Sequence, residues 1–227
     1  YEMQTDGITM LYSEASNWLA QQKGLPTAPY GPYRWAHLTW ATAIQDLAMQ
    51  YDYVSDRAIR LGKWDSSKTR ILILSSAFAI SPETAKAVRA FVEDGGVVVA
   101  DFRPGFYDHH GRPHDPTGKR AVLDELFGIR GTFPLQATTS QSVRITGEAA
   151  GVKISDFTSP NAEHAGLPLS DPGVEPTDAQ ALGRAGEAPV LLINQVGKGR
   201  AVLLNLGIWS MTPARSMTPN MSGQAGT

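Results

Sequence analysis

The chain has 227 residues, of which 42% are hydrophobic and 19% charged, with a formal net charge of −2 and no cysteine. This composition is typical of a folded domain, and the missing cysteine excludes disulfides, thiolate metal sites and a cysteine nucleophile. The sequence holds neither a basic block nor an apolar run approaching the ~20 residues that span a bilayer, so we expect no nucleic-acid or membrane partner.

The first part of the chain predicts two strands separated by loops and one helix. Residues 7–13 form an apolar run typical of a strand, and we expect residues 13–16 to be the loop that follows it. Residues 21–34 hold several Pro and Gly, which predicts a loop. An apolar face at helical spacing predicts a helix over residues 35–50, and residues 51–54 predict a short second strand.

The strongest pattern in the chain predicts a strand, a helix and a second parallel strand. Residues 70–74 are a short apolar run, and Ser81-Pro82-Glu83 starts a helix with a capping hydroxyl, a proline and an acidic first turn. Gly95-Gly96 ends that helix, and residues 97–100 predict a buried strand with Asp101 at its carboxyl end. Because ligands of open parallel sheets gather at the carboxyl ends of strands, we expect any site at this edge.

The second half predicts shorter elements joined by loops. We expect a helix over residues 121–127 that ends at Gly128, and a long loop or edge excursion over the Pro- and Gly-rich residues 160–188. Strands are expected at residues 142–145, 190–194 and 200–206. The domain is expected to cover residues 1–209, followed by a poorly ordered or truncated tail over residues 210–227.

Polar residues near the expected site edge allow several kinds of chemistry. A group of His and Asp residues has the right side chains for a metal ion, but its spacing matches no known site, and we favour a solvated loop. The group consists of Asp101, Asp108, His109, His110, His114 and Asp115.

Serines near the predicted strand ends are candidate nucleophiles, but the Gly-x-Ser-x-Gly elbow pattern is absent, and caps or turns are the favoured role. They are Ser13, Ser16, Ser75 and Ser76. Residues 197–200 favour a hairpin turn over a phosphate loop, since the Gly-Lys pair lies between two predicted strands. Trp35 and the tyrosines at 30 and 33 leave open a surface that stacks on a partner or a sugar.

Several segments together resemble a known domain family. The resemblance rests on Leu11-Tyr12-Ser13, Tyr51–Asp56, Phe91–Gly96 with the strand ending in Asp101, Leu123–Gly128 and Gly197–Val202. These motifs resemble the class I glutamine-amidotransferase-like fold, and more narrowly the β-galactosidase trimerisation domain of large bacterial glycoside hydrolases. The resemblance covers roughly residues 6–207.

This resemblance implies a three-layer α/β/α sandwich with a flavodoxin-like or amidotransferase-like, mostly parallel sheet. It also implies a domain without its own active site. Amidotransferases need a cysteine that this chain lacks, and the two catalytic Glu of β-galactosidases lie on a separate barrel that these 227 residues do not contain. We therefore expect no catalytic residue, no cofactor and no metal ligand here.

The resemblance further implies a non-catalytic accessory and oligomerisation domain of a β-galactosidase-like glycoside hydrolase. Its partners would be its own catalytic barrel and neighbouring subunits of a homo-oligomer, for which a trimer is one stoichiometry, with carbohydrate as a further ligand. We expect Phe106, Tyr107, His109 and His110 to make these contacts or to lie near sugar. Because the chain begins at Tyr1 rather than Met, we expect a piece of a longer polypeptide. The compartment stays open, with the cytoplasm favoured over secretion.

Two other functions remain open from the sequence. One is a free-standing protein of the same fold that binds sugars or small molecules at the strand ends. The other is a hydrolase that uses a serine, or a metal ion held by the His-rich loop.

Overall fold

A computed structural model describes residues 5–22, 31–117, 119–131, 142–145, 148–149, 152–153, 157–158 and 170–208. The helices are α1 (Glu14–Gln22), α2 (Gly31–Asp46), α3 (Asp56–Arg60) and α4 (Pro82–Glu93), and a 3₁₀ turn covers Ser66–Lys68. The strands are β1 (Ile8–Tyr12), β2 (Tyr51–Ser55), β3 (Ile71–Leu74), β4 (Val97–Ala100), β5 (Ile129–Gly131), β6 (Ser142–Ile145), β7 (Glu148–Ala149), β8 (Val152–Lys153), β9 (Phe157–Thr158), β10 (Val174–Pro176), β11 (Gln180–Ala185), β12 (Ala188–Val196) and β13 (Gly199–Leu203).

One sheet organises the described residues, in the strand order β2-β1-β3-β4-β13-β12-β11-β6-β9. Its first five strands are parallel, and β12, β11, β6 and β9 extend it with antiparallel pairs. The parallel half brings the carboxyl ends of β1, β3, β4 and β13 to one edge. That edge is where the sequence predicts a site.

Helices cover both faces of the parallel strands, which confirms the predicted α/β/α sandwich. On one face, Val88 and Phe91 of α4 pack in a core with Leu72. On the other face, Ile44 of α2 packs in a second core with Met10. The central strands are therefore buried on both sides, and this explains their unbroken apolar sequence.

The predicted strand–helix–strand unit is confirmed in detail. The Ser81 hydroxyl accepts a hydrogen bond from the Thr84 N–H at 3.1 Å, and Pro82 occupies the first turn of α4. β3 and β4 pair in parallel from Ile71 opposite Val97. The predicted hairpin is also confirmed, since β12 and β13 pair antiparallel around Gly197.

Four element predictions were wrong. Helix α1 occupies residues 14–22 and so overlaps both the loop expected at residues 13–16 and the start of the loop expected at residues 21–34; the Ser13 hydroxyl accepts the Ser16 N–H at 3.1 Å and supports the helix start. α2 begins at residue 31, inside the second predicted loop. Residues 122–128 form turns rather than a helix. Of the two alternatives expected for residues 160–188, a long loop or an edge excursion, the loop is wrong for residues 174–188, which contain strands because their backbone pairs with β5, β6 and β12. The predicted tail, residues 210–227, and Tyr30 lie outside the described residues.

Candidate functional site at the carboxyl edge of the parallel strands

The two serines after β1 form hydrogen bonds that hold a neighbouring loop in place. The Ser13 hydroxyl donates to the Ala79 carbonyl at 2.5 Å, and the Ser16 hydroxyl accepts from the Ala79 N–H at 2.8 Å. Both side chains are buried. Neither hydroxyl is therefore placed to attack a substrate, and the capping role favoured from the sequence is confirmed for Ser13.

A second polar group joins the ends of β3 and β4. Ser76 has a φ of 44°, a left-handed conformation that is uncommon for a residue other than glycine. Its N–H donates to Asp101 Oδ1 at 2.7 Å, and its hydroxyl donates to Oδ2 at 3.1 Å. The Phe102 N–H also donates to Oδ1, at 2.8 Å. The Asp101 carboxyl group thus holds a sharp turn after a central strand in place.

This turn resembles the elbow on which some hydrolases present a nucleophile, but its chemistry differs. Ser76 and Asp101 are both 0% exposed. Burial raises the pKa of Asp101 from 3.8 to about 7, while its hydrogen bonds from Ser76 and Phe102 act in the opposite direction. The Ser76 hydroxyl donates its hydrogen bond to Asp101 and is fully buried, so a substrate cannot reach it.

The loop that follows β4 is fastened by a buried ion pair. Arg103 is 0% exposed, and its Nε donates to Asp124 Oδ1 at 2.6 Å while a second guanidinium nitrogen reaches Oδ2. The same guanidinium donates to the Lys119 carbonyl at 2.9 Å and lies 4.7 Å above the centre of the Phe106 ring. Asp124 also accepts from the Ala121 N–H at 2.9 Å. These bonds tie both ends of the His-rich loop to each other.

The four predicted contact residues are divided between the core and the surface. Phe106 and Tyr107 are only 4% and 8% exposed, in a core that includes Ala79 and Ala121. His109 is partly buried and His110 is exposed. The centres of their rings lie 4.0 Å apart, and the backbone N–H of His110 donates to the Asp108 carboxylate at 2.8 Å. Only the two histidines are therefore accessible for contacts with a partner.

The suggested metal-ligand group does not converge. Asp101 is buried beside Ser76, while His114 Nε2 lies 2.9 Å from the Ile80 carbonyl. Asp115 accepts hydrogen bonds from Thr117. Within the described part of the chain, no three His, Asp or Glu side chains are grouped to hold a metal ion.

An aromatic patch at this edge was missed by the sequence reasoning. We define the aromatic patch as Tyr12, His37 and Tyr53, with Tyr33 packed against it. The Tyr33 hydroxyl accepts the Ser13 N–H at 2.7 Å, and burial raises the Tyr33 pKa. Tyr53 and Tyr12 lie on one face of paired strands, which alternation along β1 and β2 could have indicated; the position of His37 required the tertiary structure.

The predicted stacking residues outside that patch are less exposed. Tyr33 is 3% exposed, and Trp35 packs partly buried against a core containing Phe78 and Phe102. They therefore support the α2 side of the domain instead of forming an open platform.

A cavity of about 850 Å³ lies on the antiparallel half of the sheet, away from this edge. Two of its charged lining residues are engaged in bonds: Arg184 donates to the Glu187 carbonyl at 2.9 Å, and Glu175 pairs with Arg130 at 2.5 Å. The remaining lining is mostly Pro, Ala, Gly and Val. Nothing in that lining points to a specific ligand.

The described residues thus form an α/β/α sandwich around parallel strands, and Ser76 and Asp101 are buried and hydrogen-bonded to each other at its carboxyl edge. Residues 7–212 match the sequence model of the β-galactosidase trimerisation domain, and the chain belongs to that family. The recognition made from the sequence is thereby confirmed. No curated protein sequence matches the chain. No described helix is long and apolar enough to cross a membrane.

Solved glycosidase structures contain the same fold. The β-galactosidase from Bacillus circulans sp. alkalophilus is 17% identical with a TM-score of 0.71, over 91% of this chain and 30% of that one. The β-galactosidase from Rahnella sp. R3 is 16% identical with a TM-score of 0.65, over 91% and 30%. The exo-β-1,4-mannosidase Op5Man5 from Opitutaceae bacterium strain TAV5 is 15% identical with a TM-score of 0.57, over 91% and 32%. The chain thus spans about a third of the length of these proteins.

Proposed function

We propose that this chain is the non-catalytic accessory domain through which a β-galactosidase-like glycoside hydrolase assembles into a homo-oligomer. Membership of the β-galactosidase trimerisation domain family carries the proposal. The burial of polar groups at the carboxyl edge of the parallel strands supports the proposal. Ser13, Ser16, Ser76 and Asp101 are all buried and hydrogen-bonded to one another or to backbone, so none of these four described groups is exposed to a substrate.

The catalytic barrel would lie outside this chain, on the same polypeptide. Solved relatives are about three times longer than the part that this chain matches. They include a β-galactosidase and a mannosidase, so the fold accompanies more than one sugar specificity. The glycosidic bond and sugar cleaved by the parent enzyme would therefore be set by the barrel.

The surface of the His-rich loop is one proposed contact with a neighbouring subunit or the barrel. His109 and His110 supply its accessible rings, while Phe106 and Tyr107 hold the loop from beneath. Two bonds to the Asp108 carboxylate, from the N–H groups of His110 and Arg112, fix the loop conformation. A fixed loop loses little entropy on binding, which favours its use in a permanent assembly or beside bound carbohydrate.

The first test reads the coding sequence on both sides of this segment and then measures the mass of the full polypeptide by analytical ultracentrifugation. The proposal predicts a flanking barrel and an oligomer. A free-standing chain that stays monomeric would contradict it. If that monomer melted at a higher temperature in galactose, the alternative of a sugar-binding protein would be favoured.

The second test replaces His109 and His110 together by Ala in the full polypeptide. Weaker assembly is expected, measured as the dissociation constant of the oligomer. Lys86→Ala, on the exposed side of α4, is the matched control and should leave assembly unchanged. An unchanged dissociation constant in the double variant would remove this loop from the interface.

A further inference from the structure

The aromatic patch is a continuous surface at the open edge of the sheet. The Tyr12 and His37 ring centres lie 6.3 Å apart, and those of His37 and Tyr53 lie 6.1 Å apart with an interplanar angle of 26°. Tyr12 is 42% exposed and Tyr53 is 49% exposed. His37 therefore links two half-exposed tyrosines into one aromatic surface.

Two exposed leucines elsewhere do not form such a surface. Leu47 is 72% exposed just after α2, and Leu61 is 55% exposed just after α3. Each stands in a separate turn, and single exposed apolar residues are ordinary in folded domains. The patch differs because its rings contact one another and are held in place before any partner binds, which lowers the entropy lost on binding.

The patch can be covered without burying a charge. Burial lowers the pKa of His37 to about 4, so the imidazole is neutral at neutral pH. Burial, with a smaller contribution from Tyr51, raises the pKa of Tyr53 to about 12, so the phenol is neutral as well. His37 Nε2 has no hydrogen-bond partner among the described residues. Neutral aromatic surfaces with tyrosine hydroxyls at the rim are typical of the cores of protein interfaces.

The edge strand beneath the patch is protected against pairing with another strand. β2 is the last strand of the sheet, and the N–H of Tyr53 in its middle donates to the carboxylate of its neighbour Asp52 at 2.7 Å. A strand added at this edge would not find that donor free. A partner would therefore meet this region through side chains rather than by extending the sheet.

We propose that the aromatic patch is a contact surface for a second copy of the polypeptide that carries this chain, which rests on the proposed assembly function. We infer a second copy as the binding partner because the chain belongs to a family of trimerisation domains. The neutral, preorganised tyrosines supply the type of residue that dominates binding energy at such contacts.

The experiment compares two double variants of the full polypeptide by sedimentation equilibrium. Tyr12→Ser with Tyr53→Ser removes the patch, and Leu47→Ser with Leu61→Ser removes two exposed apolar side chains elsewhere. The first should weaken association by on the order of 100-fold or more, and the second should leave it unchanged. Thermal melting and circular dichroism of each variant establish that the fold is intact, and the single variant Tyr53→Ser replaces the double one if Tyr12→Ser unfolds the domain.

The outcomes separate this inference from the proposed function. A monomeric wild-type polypeptide overturns the proposed function itself. An oligomeric wild type whose assembly resists the folded tyrosine variants leaves the proposed function standing and overturns the role of the patch. Equal weakening by both double variants also overturns it, because general loss of apolar surface would then be sufficient.

Discussion

Asp124→Ala should destabilise the domain strongly, because it leaves the Arg103 guanidinium charged and buried without its main partner. Arg103 is 0% exposed and bonds to both oxygens of Asp124. Breaking such a pair on one side typically costs about 3–5 kcal/mol, and losing the acceptor for the Ala121 N–H adds about 1 kcal/mol. The expected loss is therefore a large part of the ~5–15 kcal/mol that stabilises a typical domain.

Urea unfolding followed by circular dichroism measures this loss. The matched control is Glu175→Ala, which breaks the Arg130–Glu175 pair on the surface, where the side chains are 74% and 59% exposed. That change should cost at most about 1 kcal/mol, because water and salt screen exposed pairs. Equal costs for Asp124→Ala and Glu175→Ala would refute the reasoning.

A charge-free double variant isolates the cause. Arg103→Met with Asp124→Leu removes both charges and keeps apolar side chains at both positions, so much of the stability lost in Asp124→Ala should return. If the double variant is no more stable than the single one, the loss comes from packing in the loop rather than from the uncompensated charge.

Two further predictions concern groups at the same edge. Burial raises the Asp101 pKa from 3.8 to about 7, so this group's stabilising contribution is complete below about pH 4 and is lost as pH rises through 7. Relative to Asp101→Asn, the free energy of unfolding of the wild type should therefore fall by about 3 kcal/mol between pH 5 and 8. Parallel pH profiles of the two proteins in urea unfolding would contradict this. Phe106→Ala should cost about 3–5 kcal/mol of fold stability in the thermal melt of the domain, because the ring is 4% exposed and lies under Arg103; a normal melting temperature with weakened assembly would instead return Phe106 to the interface.

Local sequence patterns predicted the secondary structure correctly where the contacts that stabilise an element are close in sequence. Ser81, Pro82 and Gly95 mark the two ends of α4, and the apolar runs on either side predicted β3 and β4. These signals depend on capping hydrogen bonds and on side-chain periodicity within a few residues, so they are visible without a structure. The same short motifs supported the recognition of the family.

Local patterns failed where distant residues decide the structure. Turns rather than a helix follow Ala121, since the Asp124 carboxylate is held by Arg103, 21 residues earlier in the chain. Residues 174–188 resemble loop in composition, yet they become strands because the backbone pairs with β5, β6 and β12. Composition indicates the secondary structure that a segment favours in isolation, and hydrogen bonding to a neighbouring strand can override that preference.

The sequence by itself determined that this is a cysteine-free α/β domain of a known family, with a predicted site edge and no nucleophile of the amidotransferase type. Only the tertiary structure decided what that edge contains. In the folded domain Ser76 is hydrogen-bonded to Asp101 and Phe106 lies in the core. The rings of Tyr12, His37 and Tyr53 form one surface. Burial, pairing and ring contact are properties of residues that are far apart along the chain and adjacent in space, so they exist only once the sheet and its helices have packed.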